Sequence, residues 1–357
     1  MHRFGAGSEY SGRLPMGCRH CRRGSKMVLL ITGRCNESCY YCPLSSHKKG
    51  KDVLYANELR AYSEEEVLRE AELIRATGTG ITGGDPLCVP DRTLRYIRLL
   101  KSRFGGAHHV HLYTSTIDKG MFEELERAGL DELRIHPMVS QWNKPEELGI
   151  EEAILDLDIH VGLEVPAIPG EEEGLYRLVH HADQISLDFV NLNELEFSET
   201  NAERLRAKGF EVRDDLSSAV LDSEELAMAM IRYSDLGVPI HYCSSSFKDR
   251  VQLRNRILRR ARSVATPLDL VTEEGMLYKG VIETDRYQEA MALLREVHGV
   301  PDHLMRVDRE RSRVEVAAWI LEGVADKIPY PCYLVEEYPT ADRLEVERAP
   351  LNRRKVK

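Results

Sequence analysis

The chain has 357 residues, 42% apolar and 30% charged, the balance of a globular protein that lives in water. It contains no run of 18 or more apolar residues and no signal-peptide pattern, which excludes a helical membrane protein and points to the cytoplasm. A formal net charge of −10 argues against a protein built to coat nucleic acid.

Residues 1–26 read as an irregular basic segment with Arg13, Arg19, Arg22, Arg23 and Lys26. Inside it lies Cys18-Arg19-His20-Cys21, a C-x2-C pair. Eight cysteines in a cytoplasmic chain favour metal sites over disulfides. Three readings of the pair stand side by side. It is half of a second metal site, zinc or iron–sulfur, completed by Cys243, Cys88, Cys332 or a histidine. It is a redox pair, because C-x2-C geometry lowers a thiol pKa. Or it is two ordinary thiols.

Met27–Thr32 is an apolar run that reads as the first strand. Directly after it comes Cys35-Asn36-Glu37-Ser38-Cys39-Tyr40-Tyr41-Cys42, three cysteines spaced C-x3-C-x2-C. A loop after a buried strand can bring three thiolates to one inorganic centre. Four would close an iron–sulfur cluster or a structural zinc site; three leave a metal position open for chemistry.

From residue 27 to about 197 strand and helix alternate. Tyr62–Ala76 reads as a helix, with Ser63 and Glu66 as a capping box and Val67, Leu68, Ala71 and Ile74 as its apolar stripe. Thr79–Thr82 is a second strand ending at Gly83-Gly84-Asp85-Pro86, where the two glycines, lacking Cβ, permit close approach to the backbone. The pattern continues as helix 91–104, strand 109–113, helix 118–128, strand 133–136, helix 144–155, strand 159–168, helix 171–182 and strand 185–192. Six such alternations imply parallel strands with right-handed crossovers, in a doubly wound sheet or a barrel. Periodicity does not choose between them.

The cysteine spacing, with Tyr41 before the last cysteine, resembles the cluster-binding loop of the radical S-adenosylmethionine (SAM) enzymes. Gly83-Gly84-Asp85-Pro86, about 40 residues on, is close to that family's usual Gly-Gly-Glu-Pro, with Asp85 keeping the carboxyl on a shorter arm. The resemblance implies an α/β fold, a partial (β/α)6 TIM-like barrel with its site at the C-terminal strand ends. It implies a [4Fe–4S] cluster on Cys35, Cys39 and Cys42, with SAM on the fourth iron and its amino group at Gly83, Gly84 and Asp85. Tyr41, Pro86, Ser115 and His136, with Ile168 and Gly170 in the place of an adenine-contacting stretch, join the candidate cofactor-binding set. Thr114, Glu164, Asn191, Asn193 and Glu194 also stand at or near strand ends. For each, turn chemistry or a satisfied polar group is the plain alternative.

Residues 198–270 read as a helical extension. Glu224–Leu236 is amphipathic, Pro239–Ser244 is a candidate added strand, and a basic helix carries Lys248, Arg250, Arg254, Arg256, Arg259, Arg260 and Arg262. Cys243 fits the second metal site or a buried small hydrophobe. The basic helix is a phosphate or RNA patch, or a docked helix with its charges in water. Residues 275–350 follow as strand, helix, strand, helix and two strands, with 314–316 readable either way: a small α+β domain of ferredoxin-like type that covers the barrel or grips a partner. The basic tail 353–357 reads as disordered.

The expected function is that of a radical SAM oxidoreductase served by a ferredoxin or flavodoxin. The run from Cys39 to Ser45 with Ile81–Leu87 resembles a mainly archaeal branch related to pyruvate formate-lyase activating enzyme, which implies a glycyl-radical-type protein partner. The alternatives are tRNA modification and a non-catalytic zinc or iron–sulfur protein.

Overall fold

The computed structural model describes residues 2–214, 217–232 and 236–352. The chain divides into two compact units, between Leu253 and Arg254.

Seven parallel strands organise the first unit: β1 Lys26–Leu30, β2 Gly78–Thr82, β3 His109–Thr114, β4 Glu132–Ile135, β5 His160–Ala167, β6 Phe189–Glu194 and β7 Ile240–Cys243. They pair in chain order without a reversal. A doubly wound sheet reverses its order part-way; this one turns one way only, as a barrel does. Antiparallel strands finish both edges. A hairpin, Leu54–Ala56 and Leu59–Ala61, lies on β1, and Glu9–Tyr10 lies on β7. Among the described residues the two edges do not pair, so the barrel is open. The six strand–helix repeats of the sequence are present, and the candidate strand at 239–244 is the seventh.

The helices are α1 Met16–Arg22, α2 Glu64–Leu73, α3 Pro90–Phe104, α4 Lys119–Ala128, α5 Ile150–Ile154, α6 Glu172–Gln184, α7 Ala202–Ala207 and α8 Ser223–Arg232. Ser63 and Glu66 form the expected capping box on α2. Asp118 caps α4, which ends at left-handed Gly129. None of the described helices is long and apolar enough to cross a membrane.

Three expectations need correcting. Residues 2–26 are not irregular: they supply two short strands, His2–Arg3 at the sheet edge and Glu9–Tyr10 beside β7, and α1, which Pro15 starts. The helix expected over 144–155 is two short pieces, because Gly149 takes a left-handed φ of 67° between them. The sixth strand starts at Phe189 rather than 185, because residues 185–188 turn out of α6 with Ser186 left-handed. Of the helix expected over Glu224–Leu236, residues 233–235 lie outside the described residues, as does the tail 353–357.

Alternation along each strand builds two different faces. Met27, Leu29, Ile81, Val110, Leu112, Leu133, Ile135, Leu163, Val190 and Leu192 join the helices in the apolar core. The other set faces inward and is polar: Lys26, His111, Tyr113, Arg134, Glu164, Asn191, Asn193 and His241. Helix α1 lies against that polar face. Its Gly17 amide donates to Glu132 Oε2 at 3.1 Å, and its His20 ring stacks on His109 at 5.4 Å.

The second unit starts with α9 Arg254–Val264. It continues with β8 Leu277–Glu283, α10 Tyr287–Ala292, β9 Met305–Asp308, β10 Arg313–Val316, α11 Ala318–Val324, β11 Cys332–Glu337 and β12 Glu345–Pro350. The antiparallel order is β9-β10-β8-β11-β12, so the first four strands follow the ferredoxin-like pattern. One face packs Ile282, Val314 and Val316 with Leu321 of α11. The other buries charge: Lys279, Arg313, Glu315 and Glu337 are 0–1% exposed.

Candidate functional site

A cavity of about 830 Å³ opens at the C-terminal ends of the parallel strands. Its wall includes Cys35, Cys39, Cys42, Gly83, Gly84 and Ser115, and it continues past His136 to Glu164, Asn193 and Lys248.

The cysteine loop is an excursion closed at its base. Gly33 N donates to Lys51 O at 2.8 Å and Gly50 N to Gly33 O at 2.7 Å. A Cβ on Gly33 would stand 1.7 Å from Lys48 O, so only glycine fits. From the far side the segment at α7 holds the loop's carbonyls. Asn201 Nδ2 donates to Tyr41 O at 3.0 Å, Arg204 Nη1 to Cys39 O at 3.2 Å and Thr200 Oγ1 to Cys42 O at 3.4 Å. Sequence reasoning missed this buttress. Its only trace is the cap-type run Ser198-Glu199-Thr200-Asn201 before α7.

The three thiols are free and share one wall. They do not meet at a point: among the described residues no three His, Cys, Asp or Glu side chains stand ready for a single metal ion. A [4Fe–4S] cube takes each thiolate on a different iron, so its ligands need not converge as a single ion's do.

The Gly-Gly turn packs backbone to backbone against the start of the same loop. Gly84 N donates to Thr32 O at 2.8 Å and Asp85 N to Arg34 O at 2.7 Å. A Cβ on Gly84 would sit 2.2 Å from Arg34 O, and one on Gly83 2.5 Å from Thr32 O. The glycines are therefore needed for contact within the chain before any ligand arrives. Asp85 turns its carboxylate away from the cavity toward Thr114, Ser115 and Thr116. Pro86 is buried and starts a short 3-10 turn.

Tyr41 and His136 make a fixed pair. His136 Nδ1 donates to Glu164 O at 2.7 Å, which leaves Nε2 bare to accept the Tyr41 hydroxyl at 3.1 Å. Burial lowers the His136 pKa, so the ring stays neutral. Glu164 is held by Arg134, Asn191 and Asn193, each at 2.7 Å. Ile168 is fully buried and Gly170 is exposed with φ 91°; among the described residues neither forms part of the cavity wall.

Cys18, Cys21 and Cys243 have other partners. Arg134 Nη2 donates to Cys18 Sγ at 3.3 Å, and Cys18 stands 3.7 Å from Asn191 Oδ1. Cys21 donates to Gln252 Oε1 at 2.7 Å, while Gln252 Nε2 donates to Cys243 at 3.3 Å. Burial pushes the thiols of Cys18 and Cys243 up to about 12, which keeps them protonated.

Residues 29–138 match the family described as "Radical SAM superfamily". The chain is 39% identical over 366 residues to the "Putative glycyl-radical enzyme activating enzyme MJ0021" of Methanocaldococcus jannaschii, covering 98% of this chain and 96% of that one. The chain belongs to the radical SAM superfamily. It is a radical SAM enzyme, and its cofactors are a [4Fe–4S] cluster and SAM. The residues present fit both groups: Cys35, Cys39 and Cys42 are the cysteines on the cavity wall, and Gly83 and Gly84, packed against the start of their loop, line the same cavity.

Residues 275–351 of this radical SAM enzyme match a "Domain of unknown function (DUF8061)". Similar solved structures include SuiB of Streptococcus suis bound to precursor peptide SuiA, at 12% identity and TM-score 0.40, covering 62% of this chain and 48% of that one. Methylornithine synthase (PylB) gives 12%, 0.41, 59% and 64%. HydG, a maturase of the [FeFe]-hydrogenase, gives 14%, 0.40, 59% and 52%. The chain thus spans about half to two thirds of the length of these structures.

Proposed function

We propose that this enzyme takes a hydrogen atom from a glycine of a protein partner, and that a ferredoxin- or flavodoxin-class donor supplies one electron per event. The reading is carried by the relative named as an activating enzyme, whose likeness runs through 98% of the chain and so includes the second unit. Cys35, Cys39 and Cys42 hold the cluster. The Gly83–Gly84 turn with Ser115 receives the methionine end of SAM, and Tyr41 and His136 line the same cavity. Asp85 and Pro86 support that turn from outside the cavity wall, and among the described residues Ile168 and Gly170 do not line it. When bound, the cofactors would supply one-electron reductive cleavage of SAM and, with it, abstraction of the glycine Cα hydrogen, which leaves in 5′-deoxyadenosine. Glu164, Asn193 and Lys248 are among the further lining residues and shape the substrate's place.

Three of the seven basic residues that motivate the RNA alternative are engaged within the chain. Lys248 is paired with Glu196, Arg254 meets Glu274 at 3.2 Å, and Arg260 is buried with its guanidinium on Pro339 O.

The test is isotopic. The anaerobically reconstituted enzyme is given SAM, dithionite and the blocked peptide acetyl-Ala-Gly-Ala-amide with both glycine α-hydrogens replaced by deuterium. Mass spectrometry of the 5′-deoxyadenosine is expected to show deuterium. Deuterium arriving only from perdeuterated tRNA, in a parallel reaction, would overturn the protein-substrate reading.

A further inference from the structure

The carboxylate of Glu164, on β5, is a junction of three donors at the cavity wall. Its Oε2 accepts from Arg134 Nη1, and its Oε1 accepts from Asn191 Nδ2 and Asn193 Nδ2, each at 2.7 Å. Arg134 and Asn191 are each 2% exposed, so the junction is anchored from inside the barrel. The Oδ1 of Asn191 is itself taken, by Cys18 Sγ and His241 Nδ1. A carboxylate only accepts. Glu164 therefore meets Asn193 at its amide nitrogen, and that amide cannot turn over.

Asn193 differs from Asn191. It stands near the end of β6, is half-buried and lines the cavity. One hydrogen of its Nδ2 goes to Glu164; the other hydrogen and Oδ1 have no partner among the described residues. A donor and an acceptor thus stand side by side on one planar group, in an order that Glu164 fixes. An extended peptide residue presents the complement. Its N–H and C=O point to the same side, which is how two residues of an antiparallel ladder exchange both bonds. A carboxylate, which only accepts, or an ammonium, which only donates, would match one half of the pair.

We propose that Asn193 binds the backbone of the glycine that gives up hydrogen. Its Oδ1 accepts the glycine N–H, its Nδ2 donates to the glycine C=O, and Glu164 is the positioning residue that fixes the amide. The proposal rests on a protein glycine being the hydrogen donor. What the site recognises at the reacting residue is then main chain in extended form, with no side chain required. In that form both Cα hydrogens lean away from Asn193, so the contact leaves them open to abstraction.

The experiment pairs acetyl-Ala-Gly-Ala-amide with its depsipeptide, in which oxygen replaces the glycine N–H and the Cα hydrogens remain. Binding to reconstituted enzyme with SAM and no reductant is read by isothermal titration calorimetry. Transfer of deuterium from the same Cα of each compound is read after dithionite is added. The wild type is expected to bind the amide at least tenfold more tightly than the ester, with the difference in KM rather than kcat. Asn193→Ala should bind both compounds equally and weakly, while SAM affinity, iron content and thermal midpoint hold. Glu164→Gln should weaken the amide and add nothing further in the Asn193→Ala background, because the two residues act as one unit. Deuterium transfer from the amide with no preference over the ester, or a preference that survives in Asn193→Ala, overturns the proposal and leaves the protein-glycine reading standing. Equal loss from Glu164→Gln in both backgrounds makes its role structural and overturns the positioning. No deuterium from either compound in the wild type removes the protein-glycine reading, and the proposal with it.

Discussion

The side-chain amide of Asn201 donates to the carbonyl of Tyr41, 160 residues earlier in the chain, at 3.0 Å. The same amide donates to Glu196 O at 2.9 Å, so one fully buried side chain ties the loop after β6 to the cysteine loop after β1. A leucine at this position would leave two buried carbonyls unpaired, a local cost of about 1–3 kcal/mol for each. Asn201→Leu is therefore expected to loosen residues 33–50 while the barrel stays folded. Iron retained after desalting should fall below half of the wild-type value, and exchange of peptides from the loop should quicken. Full iron retention with unchanged exchange would show that the base of the loop alone suffices.

Removing a thiol tests the ligand assignment. Cys39→Ala should lose most of its iron and cease to form 5′-deoxyadenosine, with circular dichroism unchanged. Cys21→Ser should leave the metal content at about four irons per chain, the load of one cluster, because Cys21 already spends its hydrogen on Gln252. Zinc or extra iron that disappears in Cys21→Ser would instead make Cys18, Cys21 and Cys243 ligands of a second centre.

Much of this architecture could be read from residue order. The alternation of strand and helix announced the parallel sheet, and the capping box of Ser63 and Glu66 marked the start of α2. The cysteine triplet and Gly83-Gly84 were legible because their spacing carries chemistry. What the sequence hid depends on long-range pairing. Residues 1–26 looked irregular since their helix has only seven residues and its partners, Glu132 and Arg134, lie over a hundred positions away. The buttress at Thr200, Asn201 and Arg204 bonds to backbone carbonyls, which leave no mark in a side-chain pattern. Asp85 was legible as a motif residue, but its orientation toward Thr114, Ser115 and Thr116 was not.

The inward polar face of the barrel depends on Arg134. This side chain is 2% exposed, and its guanidinium meets Glu132 at 2.5 Å, Glu164 at 2.7 Å and Cys18 at 3.3 Å. Arg134→Met would leave two carboxylates without their cation, and breaking a buried pair in this way costs about 3–5 kcal/mol. Urea denaturation of the variant should show the loss. Gly17→Ala probes the same place from α1, since its Cβ would stand 2.7 Å from both Arg134 Nη2 and Glu132 Oε1. Overpacking of that kind costs about 1–3 kcal/mol. If both variants unfold at the wild-type midpoint, the α1 contact contributes nothing to stability.

The buried charges of the second unit give it an acid limit. Burial alone would raise the pKa of Glu315, but Lys279, Arg343 and Arg306 outweigh it and hold the carboxyl down at about 2. A depressed carboxyl pKa stabilises the fold above its ordinary value near 4.5, and that contribution is lost as pH falls through about 2. For this residue the contribution is about 3 kcal/mol. Pepsin cleavage across 277–350, mapped by mass spectrometry and normalised to an unfolded substrate, should stay low at pH 4 and rise steeply as pH approaches 2. Glu315→Gln removes the anion and leaves Lys279, Arg306, Arg313 and Arg343 crowded together, so this variant should already be cut at pH 4. Equal resistance of variant and wild type at pH 4 would mean that the other carboxylates paired with these cations, Glu337, Asp269, Asp308 and Glu345, hold them without Glu315.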